Sequence, residues 1–552
     1  MNSLKIIPLG GMGGVTQNMF LYEMDQEILI IDCGIGFPDH YMPGADILIP
    51  DISYLLKKIE EGKTVVGMIL SHGHDDHIGA LPYLLPALPD FPIFASPLTA
   101  GFAEDRMKES SAKRTVTVID HSDEFTIGQG FTVQLFAVTH SVPHTRHILV
   151  KTEAGNFYHG SDFKLDPSPV DGVLTDIRRI SEAVEGGITC LLLDCLRVEN
   201  PNWVASESTV GPILSDLMLK TEGKYVITLM SSHLHRIQQV IDAAVSQGRK
   251  VAFIGRSVEQ NVEVALRLNV LTIPAGTMVD KRKLSNYPDK QLCVIVAGSQ
   301  GQEGSSLVRA IFGEHRALRI SPNDTVVFSA DAIPGNELPY YAAIDELCRN
   351  RIHVVYPAIA KGIHQSGHAS APEQQEMVRT IKPTYLFPMG GADRHRVLFL
   401  EKVAEPLGYN ENSVLIPESG EILEFGLGSP RTVEKIMLKP QIVDGLGVGD
   451  VGPIVLSDRR AMAESGIIVL VIPRENNEFL VDQIEIVSRG FVFMKEAEEV
   501  ISFIQESTIE TIDKFGTKSD EVLKKEIEKR LARKLFSIIR REPMIVPVII
   551  DR

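Results

Sequence analysis

The sequence predicts an α/β protein of about three domains, and three observations lead to that class. The chain has 552 residues, too many for a single hydrophobic core. Short apolar runs alternate with turn residues through 1–195, whereas 209–355 alternates strand-like and helix-like segments. Beyond residue 440 a further unit carries two long helical patterns and a closing apolar strand. Each region therefore has its own pattern of elements.

The first region, 1–195, has the pattern of a β-rich α/β domain. Its apolar runs are short and are bounded by Gly, Pro and Asp, which is typical of buried strands. The predicted strands are Leu4–Ile7, Glu27–Ile31, Val65–Leu70, Thr132–Val138, Ile148–Lys151 and Thr189–Leu193, and the predicted helices are Ile52–Glu60 and Ile78–Leu85.

The second region, 209–355, consists of βαβ units. Strands that alternate with helices indicate a parallel sheet with crossover helices. The predicted strands are Tyr225–Leu229, Lys250–Ile254, Leu292–Val296, Thr325–Ser329 and His353–Tyr356, and the predicted helices are Leu234–Gln247, Val258–Leu266 and Tyr340–Asn350.

The third region is a small unit with one amphipathic helix of particular interest. Its predicted elements are the strand Gly466–Pro473, the helices Lys495–Ile512 and Ser519–Arg540, and the strand Met544–Ile550. Apolar residues recur at helical spacing in the second helix: Leu523, Ile527, Leu531, Leu535 and Ile538. Such a stripe must pack on something. The core of the small domain is favoured over a dimer interface.

The composition argues against several classes of protein. Hydrophobic residues make up 44% of the chain and charged residues 23%, as in ordinary globular proteins. No apolar run approaches the roughly 18 residues of a membrane span. The opening segment Met1–Ile7 goes straight into a strand-like run, so we expect no signal peptide. Five scattered cysteines favour a reducing, cytoplasmic location over a disulfide framework.

The formal net charge of −17 bears on the kind of partner. Long-range attraction of a nucleic acid would be poor, so a bound anion needs a local basic groove or bound metal ions. The candidate basic positions are Arg236, Arg249–Lys250, Arg256 and Lys281–Lys283. Each of these positions is interpreted as part of a solvent-exposed charged face rather than as a ligand site.

The most informative segment follows the apolar run Val65–Leu70 and reads Ser-His-Gly-His-Asp-Asp-His. Its four potential metal ligands are His72, His74, Asp76 and His77. The two alternating histidines can point to one centre, and the two later residues can reach a second. Two neighbouring divalent ions suit hydrolysis, because they activate water at neutral pH and stabilise displacement at a phosphate. A surface histidine cluster is the alternative, but the density of ligands favours a metal site.

Acidic and histidine side chains also end other strands. Asp32, His140 and Asp162 each end a strand-like segment. Any one of them could be an ordinary turn residue. Asp32 is expected to orient a ligand rather than to bind metal itself.

In this order, the ligand segment, His140 and Asp162 resemble the metallo-β-lactamase superfamily. Other segments resemble the β-CASP nucleases and, within them, the ribonuclease J family. These segments are Leu191–Asp194, Ser232–Arg236, Gly298–Gly301, Ile333–Glu337 and His364–Ser370, with Val443–Gly452, Ser488–Val492 and Arg541–Pro547 in the tail. The resemblance covers nearly the whole chain.

The resemblance implies a metallo-β-lactamase αββα sandwich with an inserted β-CASP parallel-sheet α/β domain and a small C-terminal α/β domain. The implied boundaries are 1–208 for the first part of the lactamase domain, 209–356 for the β-CASP domain, 357–440 for the second part, 441–460 for a linker and 461–552 for the C-terminal domain.

The resemblance also implies two zinc ions. The first would take His72, His74 and His140, and the second Asp76 and His77, with Asp162 bridging. Zinc follows from the histidine-rich ligation, and manganese would also fit the carboxylates. The implied catalytic residues are Asp76, Asp194 and His368.

The implied reaction is hydrolysis of RNA. Two loops would bind phosphates, with Ser232, His233 and His235 in one, and His364, Gln365, Ser366, Gly367 and His368 in the other. Asp76 would orient the attacking hydroxide, and His368 would stabilise the developing charge or protonate the leaving oxygen. A pocket for a 5′ monophosphate would explain 5′-to-3′ exonuclease action beside endonucleolytic cleavage. A homodimer or homotetramer through the C-terminal domain and a ribonuclease paralogue as partner are implied as well.

The chain departs from the family at three positions. The family usually has a Pro-Val-His-Gly-Glu segment whose histidine completes the second metal site. Here the matching stretch is Lys382–His395, and Gly390 stands at the ligand position. His144 stands where the family usually has Asp, and the loop Gly11–Gly14 lacks the glutamate common there.

Gly390 allows three interpretations. The second site is weak but filled, with water in place of the histidine; another residue, His144 or Asp393, substitutes; or the protein works with one tight metal, or is a weakly active paralogue that supports a partner ribonuclease. We expect a tight first ion and a loose second ion. Two other classes remain as alternatives: a hydrolase of small thioesters or lactams, disfavoured by the inserted domain, and a DNA nuclease, disfavoured by the tail.

Overall fold

The computed structural model describes ten stretches of the chain, which divide into two compact units. The described residues are 3–39, 42–108, 110–119, 124–333, 335–426, 428–439, 441–445, 447–449, 451–491 and 498–552. The first unit comprises Met1–Gly36 and Ile49–Gln441, and the second comprises Phe37–Leu48 and Ile442–Arg552. The domain boundaries stated above stay predictions.

The first unit contains an eight-stranded mixed sheet. Its order is Arg431–Lys435 (β20), Glu421–Phe425 (β19), Leu4–Pro8 (β1), Phe20–Met24 (β2), Glu27–Ile31 (β3), Thr64–Leu70 (β5), Ile93–Ala95 (β6) and Val116–Val118 (β7). In this sheet order, the neighbours from β20 through β19, β1 and β2 to β3 are antiparallel. The neighbours from β3 through β5 and β6 to β7 are parallel. The ligand segment follows the parallel strand β5.

A six-stranded sheet packs against this one. Its order is Tyr385–Met389 (β18), Cys190–Asp194 (β12), Gly155–Gly160 (β11), Arg146–Thr152 (β10), Phe131–Ala137 (β9) and Phe125–Ile127 (β8). One buried cluster joins the facing side chains, among them Phe20 and Tyr22 of the first sheet with Phe157 and Phe387 of the second. Alternate residues of each strand face this shared core, as the two-residue period of a strand requires.

Helices cover the outer faces of the two sheets. On the first sheet, Tyr54 of Ser53–Glu60 (α1) is buried and donates to Glu23 of β2. On the second sheet, a separate cluster packs Ile180 and Met377 against Tyr158 and Leu191. The helices of this region are Asp75–Ile78 (α2), Leu81–Leu84 (α3), Pro97–Met107 (α4), Ile177–Ala183 (α5), Ala371–Ile381 (α11) and Asp393–Phe399 (α12), the last continuing as a π-helix over Leu400–Ala404. The layers form an αββα sandwich.

An all-parallel five-stranded sheet is inserted between β12 and β18. Its order is Lys250–Ile254 (β14), Leu292–Val296 (β15), Tyr225–Thr228 (β13), Thr325–Phe328 (β16) and His353–Val355 (β17). Its helices are Val210–Lys220 (α6), Leu234–Ser246 (α7), Arg256–Arg267 (α8), Ser306–Ile311 (α9) and Glu337–Arg349 (α10). Most β residues are buried, because crossover helices cover both faces of such a sheet. The predicted βαβ region is therefore confirmed.

The second unit has its own sheet and core. The sheet contains Glu478–Phe479 (β24), Ile467–Glu475 (β23), Glu485–Arg489 (β25) and Met544–Asp551 (β26), with β26 parallel to β23. Its helices are Pro453–Ser465 (α13), Glu498–Phe515 (α14) and Asp520–Ile539 (α15). Most of a small sheet also belongs here: Ile47–Ile49 (β4), Gln441–Asp444 (β21) and Gly447–Val448 (β22).

The apolar stripe of α15 packs into the core of this unit. Leu523, Ile527, Leu531 and Leu535 are buried against the sheet, as the favoured interpretation predicts. Ile538 is wrong as the last member, because it is 60% exposed. The four-residue spacing continues at Ile539, which packs against the cluster.

The predicted fold class is confirmed, with two differences in its helices. The predicted helix Ile78–Leu85 is instead α2, α3 and a 3₁₀ turn at Leu85–Ala87, and α2 already begins within the ligand segment. The predicted start of α14 at Lys495 lies outside the described residues, as do Pro334, Leu446, Asp450 and Val492 of the family-like segments. Among the described residues, no helix is long and apolar enough to cross a membrane.

Candidate metal centre

Four strands of the second sheet end at the same edge, and each is followed by a residue of interest. Strands β11, β12 and β18 are parallel neighbours, so their carboxyl ends lie side by side. Strand β9 runs in the same direction as β11, because both are antiparallel to β10. The residues at or just beyond these ends are His140, Asp162, Asp194 and Gly390. The edge therefore collects side chains from distant parts of the chain.

The first cluster consists of His72, His74, His140 and Asp162, whose candidate ligand atoms all lie within 4.8 Å of one another. His74 Nδ1 is 3.1 Å from His72 Nε2 and 3.1 Å from His140 Nε2. Asp162 Oδ2 lies 3.6 Å from His72 Nε2. Ligand atoms around a tetrahedral zinc with bonds of about 2.0–2.1 Å lie roughly 3.3–3.4 Å apart. The spacing thus fits one small cation.

The second cluster consists of Asp76, His77 and Asp162. His77 Nε2 lies 3.7 Å from Asp76 Oδ2 and 3.6 Å from Asp162 Oδ2. A third cluster joins Asp162 to Asp194 and His368. Asp162 is common to all three clusters, so one carboxylate connects the whole site.

Neighbouring groups fix which ring nitrogen of each histidine faces the clusters. His77 Nδ1 donates to Asp32 at 2.7 Å, and His140 Nδ1 donates to the carbonyl of Gly367 at 2.6 Å. His72 Nδ1 lies 3.0 Å from the hydroxyl of Ser71. In these three rings Nε2 therefore faces the cluster. Hydrogen bonds to the other ring nitrogen commonly orient metal-ligating histidines in this way. Asp32 thus has the orienting position expected from the sequence.

Burial and charge set the protonation of the first cluster. Burial lowers the pKa of His72 and His140 well below the usual value, and neighbouring histidines lower it further. Burial also lowers the pKa of His74 to about 3. Burial alone would raise the pKa of Asp162, but His77 and His368 hold it well below its usual range. Three neutral imidazoles beside a carboxylate are the protonation states that a metal ligand needs.

The third cluster has the opposite electrostatics. Burial lowers the pKa of the His368 ring, but Asp194 and Asp162 outweigh burial and raise it to about 9. His368 Nδ1 donates a hydrogen bond to Asp194 Oδ2 at 2.7 Å. In the second cluster, burial raises the pKa of Asp76 to about 6. The centre therefore places a cationic ring beside two carboxylates.

The predicted phosphate-binding residues fall into two groups. Ser366, Gly367 and His368 lie at the clusters; Gly367 is required there because an added Cβ would come within 2.8 Å of Ser141. His233 and His235 instead face carboxylates, at 3.4 Å from Glu207 and 3.1 Å from Asp171.

The other members of these loops have different surroundings. Ser232 is nearly buried. His364 and Gln365 contact the guanidinium of Arg236. The assignment of all these residues to phosphate binding stays a prediction.

Gly390 faces the carboxylates of the centre. A Cβ added there would lie 3.6 Å from Asp194 Oδ1 and 4.0 Å from Asp162 Oδ1. Its φ of 67° is in the left-handed region. A side chain at this position would thus point at the second and third clusters.

Neither predicted substitute for the missing histidine belongs to the clusters that the described residues form. The backbone N–H of Leu98 donates to His144 Nδ1 at 3.3 Å. His144 also lines a cavity of about 180 Å³ beside His140. The Asp393 side chain is 80% exposed and pairs with Arg396.

Sequence reasoning misplaced two arginines and missed one carboxylate. The interpretation of Arg236 and Arg249 as solvated faces is wrong, because they are 1% and 4% exposed. Arg249 donates to four backbone carbonyls, whereas Arg236 forms a two-point ion pair with Glu207. The family-like segment Ser232–Arg236 pointed to a role for Arg236, whereas no sequence motif pointed to Glu207.

Three family models match the chain. They are "Metallo-beta-lactamase superfamily" over 12–158, "Ribonuclease J, beta-CASP domain" over 222–347 and "Ribonuclease J C-terminal domain" over 454–552. The sandwich, the inserted parallel sheet and the clustered histidines and carboxylates agree with these matches. They define a metallo-β-lactamase-superfamily protein with a β-CASP domain.

Curated relatives narrow this class. Ribonuclease J of Thermus thermophilus is 34% identical, over 99% of this chain and 95% of that protein. Ribonuclease J2 of Bacillus subtilis is 32% identical, over 100% of this chain and 99% of that protein. The chain belongs to the ribonuclease J family, and the resemblance found in the sequence is confirmed.

A solved structure from Enterococcus faecalis V583, titled as a protein of unknown function, also matches. Its TM-score is 0.53 at 15% identity, over 77% of this chain and 100% of that chain. Similarity at this level concerns the fold alone.

Proposed function

We propose that the protein is a metal-dependent ribonuclease, with 5′-to-3′ exonuclease and endonuclease activity in RNA maturation and decay. Its family consists of RNA-processing nucleases, which fixes the general class. The observation that carries the proposal is Asp162, shared between two candidate ligand clusters and the His368–Asp194 pair. Phosphodiester hydrolysis needs both: metal ions in the clusters would activate water, and the His368–Asp194 pair would assist departure of the leaving oxygen.

The residues present fit two metal positions unequally. Three neutral imidazoles and a carboxylate in the first cluster fit zinc. The second cluster offers one imidazole and two carboxylates, which also suit manganese. When bound, such ions supply water activation at neutral pH and neutralise charge on the phosphate. We propose that the second ion is held loosely, because Gly390 offers no side chain where the family has histidine.

The chain's own side chains supply the proton transfers. Asp76 lies beside both His77 and Asp162, so its carboxylate can orient the attacking water and accept its proton. The His368 ring, kept protonated by Asp194, can donate to the departing oxygen. Asp194 positions that ring and stabilises its charge. We propose that the Ser366–His368 backbone turn binds a phosphate beside these groups.

The proposal extends to partners and location. Preferred substrates are 5′-monophosphorylated RNAs, held by the loops that contain Ser232 and His364. Association into a dimer or tetramer through the second unit is supported by apolar side chains that stay exposed there, such as Ile538 and Ile550. The reducing location inferred from the cysteines would be the cytoplasm.

The test compares 5′-monophosphorylated RNA with DNA of the same sequence, with and without a chelator. We expect mononucleotides from the RNA, no products from the DNA, and loss of RNA cleavage after chelation. Restoring zinc or manganese should return the activity. Equal cleavage of both polymers would contradict the ribonuclease assignment, and chelator-resistant cleavage would contradict the role of metal.

A second candidate is a weakly active paralogue that acts mainly as a structural subunit of a ribonuclease complex. Gly390 favours it, because an incomplete second cluster lowers the activity of the isolated chain. The candidate predicts that Asp76→Ala changes the RNA cleavage rate of a complex with a ribonuclease partner less than about twofold. A loss of tenfold or more in that complex, with assembly unchanged by gel filtration, would rule it out.

A further inference from the structure

A buried ion pair outside the metal centre joins the inserted domain to the lactamase sandwich. Arg236 lies in the first turns of α7, and Glu207 precedes α6. Arg236 Nε donates to Glu207 Oε1 at 2.8 Å, and Nη2 donates to Glu207 Oε2 at 2.6 Å. Gln239 adds a third donor to the same carboxylate, at 3.1 Å. The pair is thus rigid and removed from solvent.

The remaining donors of Arg236 hold the segment that returns to the sandwich. Its Nη1 donates to the Ser329 carbonyl at 2.8 Å and to His364 Nδ1 at 2.6 Å, and Nη2 donates to the Gln365 carbonyl at 3.1 Å. The Ser329 hydroxyl donates to the Ile363 carbonyl at 2.6 Å. One guanidinium therefore connects the end of β16 to the start of the 363–368 segment.

The other end of the same segment contacts the metal centre. The Gly367 carbonyl accepts from His140, and the His368 ring donates to Asp194. The short segment from Ile363 to His368 cannot move at one end without displacing the other. We propose that Glu207 and Arg236 are positioning residues that fix the 363–368 segment, so that His368 stays at the clusters and His364 keeps its proton on Nε2. This inference rests on the proposed function.

The chemistry of arginine explains both effects. A guanidinium has donors only and stays protonated, so His364 Nδ1 must accept and the ring proton must lie on Nε2. His364 is thereby a neutral donor at Nε2, which lies 3.7 Å from Asp331 Oδ2. The planar fork of arginine also bonds a carboxylate and two carbonyls at once, which a lysine ammonium cannot reproduce.

Arg249 offers a matched control. It is a buried arginine of the same unit, but its four bonds go to the carbonyls of Gly223, Leu292, Met218 and Thr221. None of those groups belongs to the 363–368 segment. Arg236→Lys and Arg249→Lys remove comparable numbers of hydrogen bonds, so a purely structural loss should be similar in both.

The experiment measures hydrogen exchange and RNA cleavage on the full-length variants. For Arg236→Lys we expect the amides of 363–368 to exchange at least about tenfold faster, and kcat to fall about 10²-fold with KM changed less than about threefold. For Arg249→Lys we expect both readouts to stay at the wild-type level. Ser329→Ala removes only the hydroxyl contact with Ile363 and should give a smaller effect in the same direction.

The outcomes separate this inference from the proposed function. Unchanged exchange over 363–368 in Arg236→Lys, or equal effects in Arg249→Lys, would overturn the positioning role. If Arg236→Lys does not fold, Glu207→Gln takes its place, because it keeps the size of the partner and removes its charge; unchanged exchange over 363–368 in that variant would overturn the role. Exchange needs no substrate, so it decides the role of the pair even if the wild-type protein cleaves no RNA. Faster exchange with unchanged kcat would refute the catalytic consequence.

Discussion

Asp162→Asn is expected to remove metal from both clusters and to abolish RNA cleavage. Its carboxylate lies 3.6 Å from His72 Nε2, 3.6 Å from His77 Nε2 and 3.7 Å from His140 Nε2. The amide keeps the volume but loses the negative charge that both positions share. Metal ions contribute several kcal/mol to the transition state of such reactions, and about 4 kcal/mol corresponds to roughly 10³ in rate. We expect a loss of at least that size.

Metal content after dialysis and cleavage of 5′-monophosphorylated RNA measure the effect. The control is Asp324→Asn, which alters a fully buried carboxylate just before β16 of the inserted sheet. Asp324 accepts from the backbone of Lys224 and Ser321, far along the chain from the clusters. It should lower the free energy of unfolding and leave metal content unchanged. Wild-type metal content in Asp162→Asn would refute a shared ligand.

Candidate residues of the metal centre could be recognised from the sequence when they lie close together in the chain or end a strand. The ligand segment contains four candidate ligands within six residues, and His140 and Asp162 each end a strand-like segment. These local patterns mark candidates only, and the family resemblance supplied their grouping into one site. Gly390 was located by the resemblance of Lys382–His395 to the family segment, and the structure places it after β18, beside β12.

The Glu207–Arg236 pair was not predictable in this way. Arg236 looked like a surface charge, since a sequence pattern does not reveal that a partner 29 positions earlier is buried with it. Its contact with His364 spans 128 positions. Such a pair depends on how the inserted domain packs on the sandwich, and packing of distant segments leaves no periodic signal in the chain.

The overall negative charge agrees with a site that handles phosphate locally. The chain carries 55 basic and 72 acidic residues, so long-range attraction of RNA is weak. Of the basic positions considered, Arg236 and Arg249 are spent on internal bonds. Under the proposed function, phosphate recognition would therefore draw on bound cations and on His368, and occupancy of the second cluster would affect the activity.

Gly390→His is expected to convert a loosely held second ion into a tightly held one. The added Cβ meets only the Asp194 and Asp162 carboxylates, at 3.6 and 4.0 Å, so the ring has room beside the second cluster. Histidine tolerates a left-handed φ better than most residues, and the strain costs about 1 kcal/mol. Loss of a residue that only hydrogen-bonds to a metal ligand lowers metal affinity about 10–100-fold. A new direct ligand should therefore raise the affinity of the second site at least about 100-fold.

Gly390→Ala separates ligation from backbone effects. It introduces the same Cβ and the same strain at φ 67° without a donor atom. Titration calorimetry of metal-free protein should give one tight site in the wild type and in Gly390→Ala, and two in Gly390→His. Two tight sites in the wild type would mean that the second cluster is complete without residue 390. If Gly390→Ala also bound the second ion tightly, the higher affinity would come from a stiffer end of β18. The missing imidazole would then not explain the weak second site.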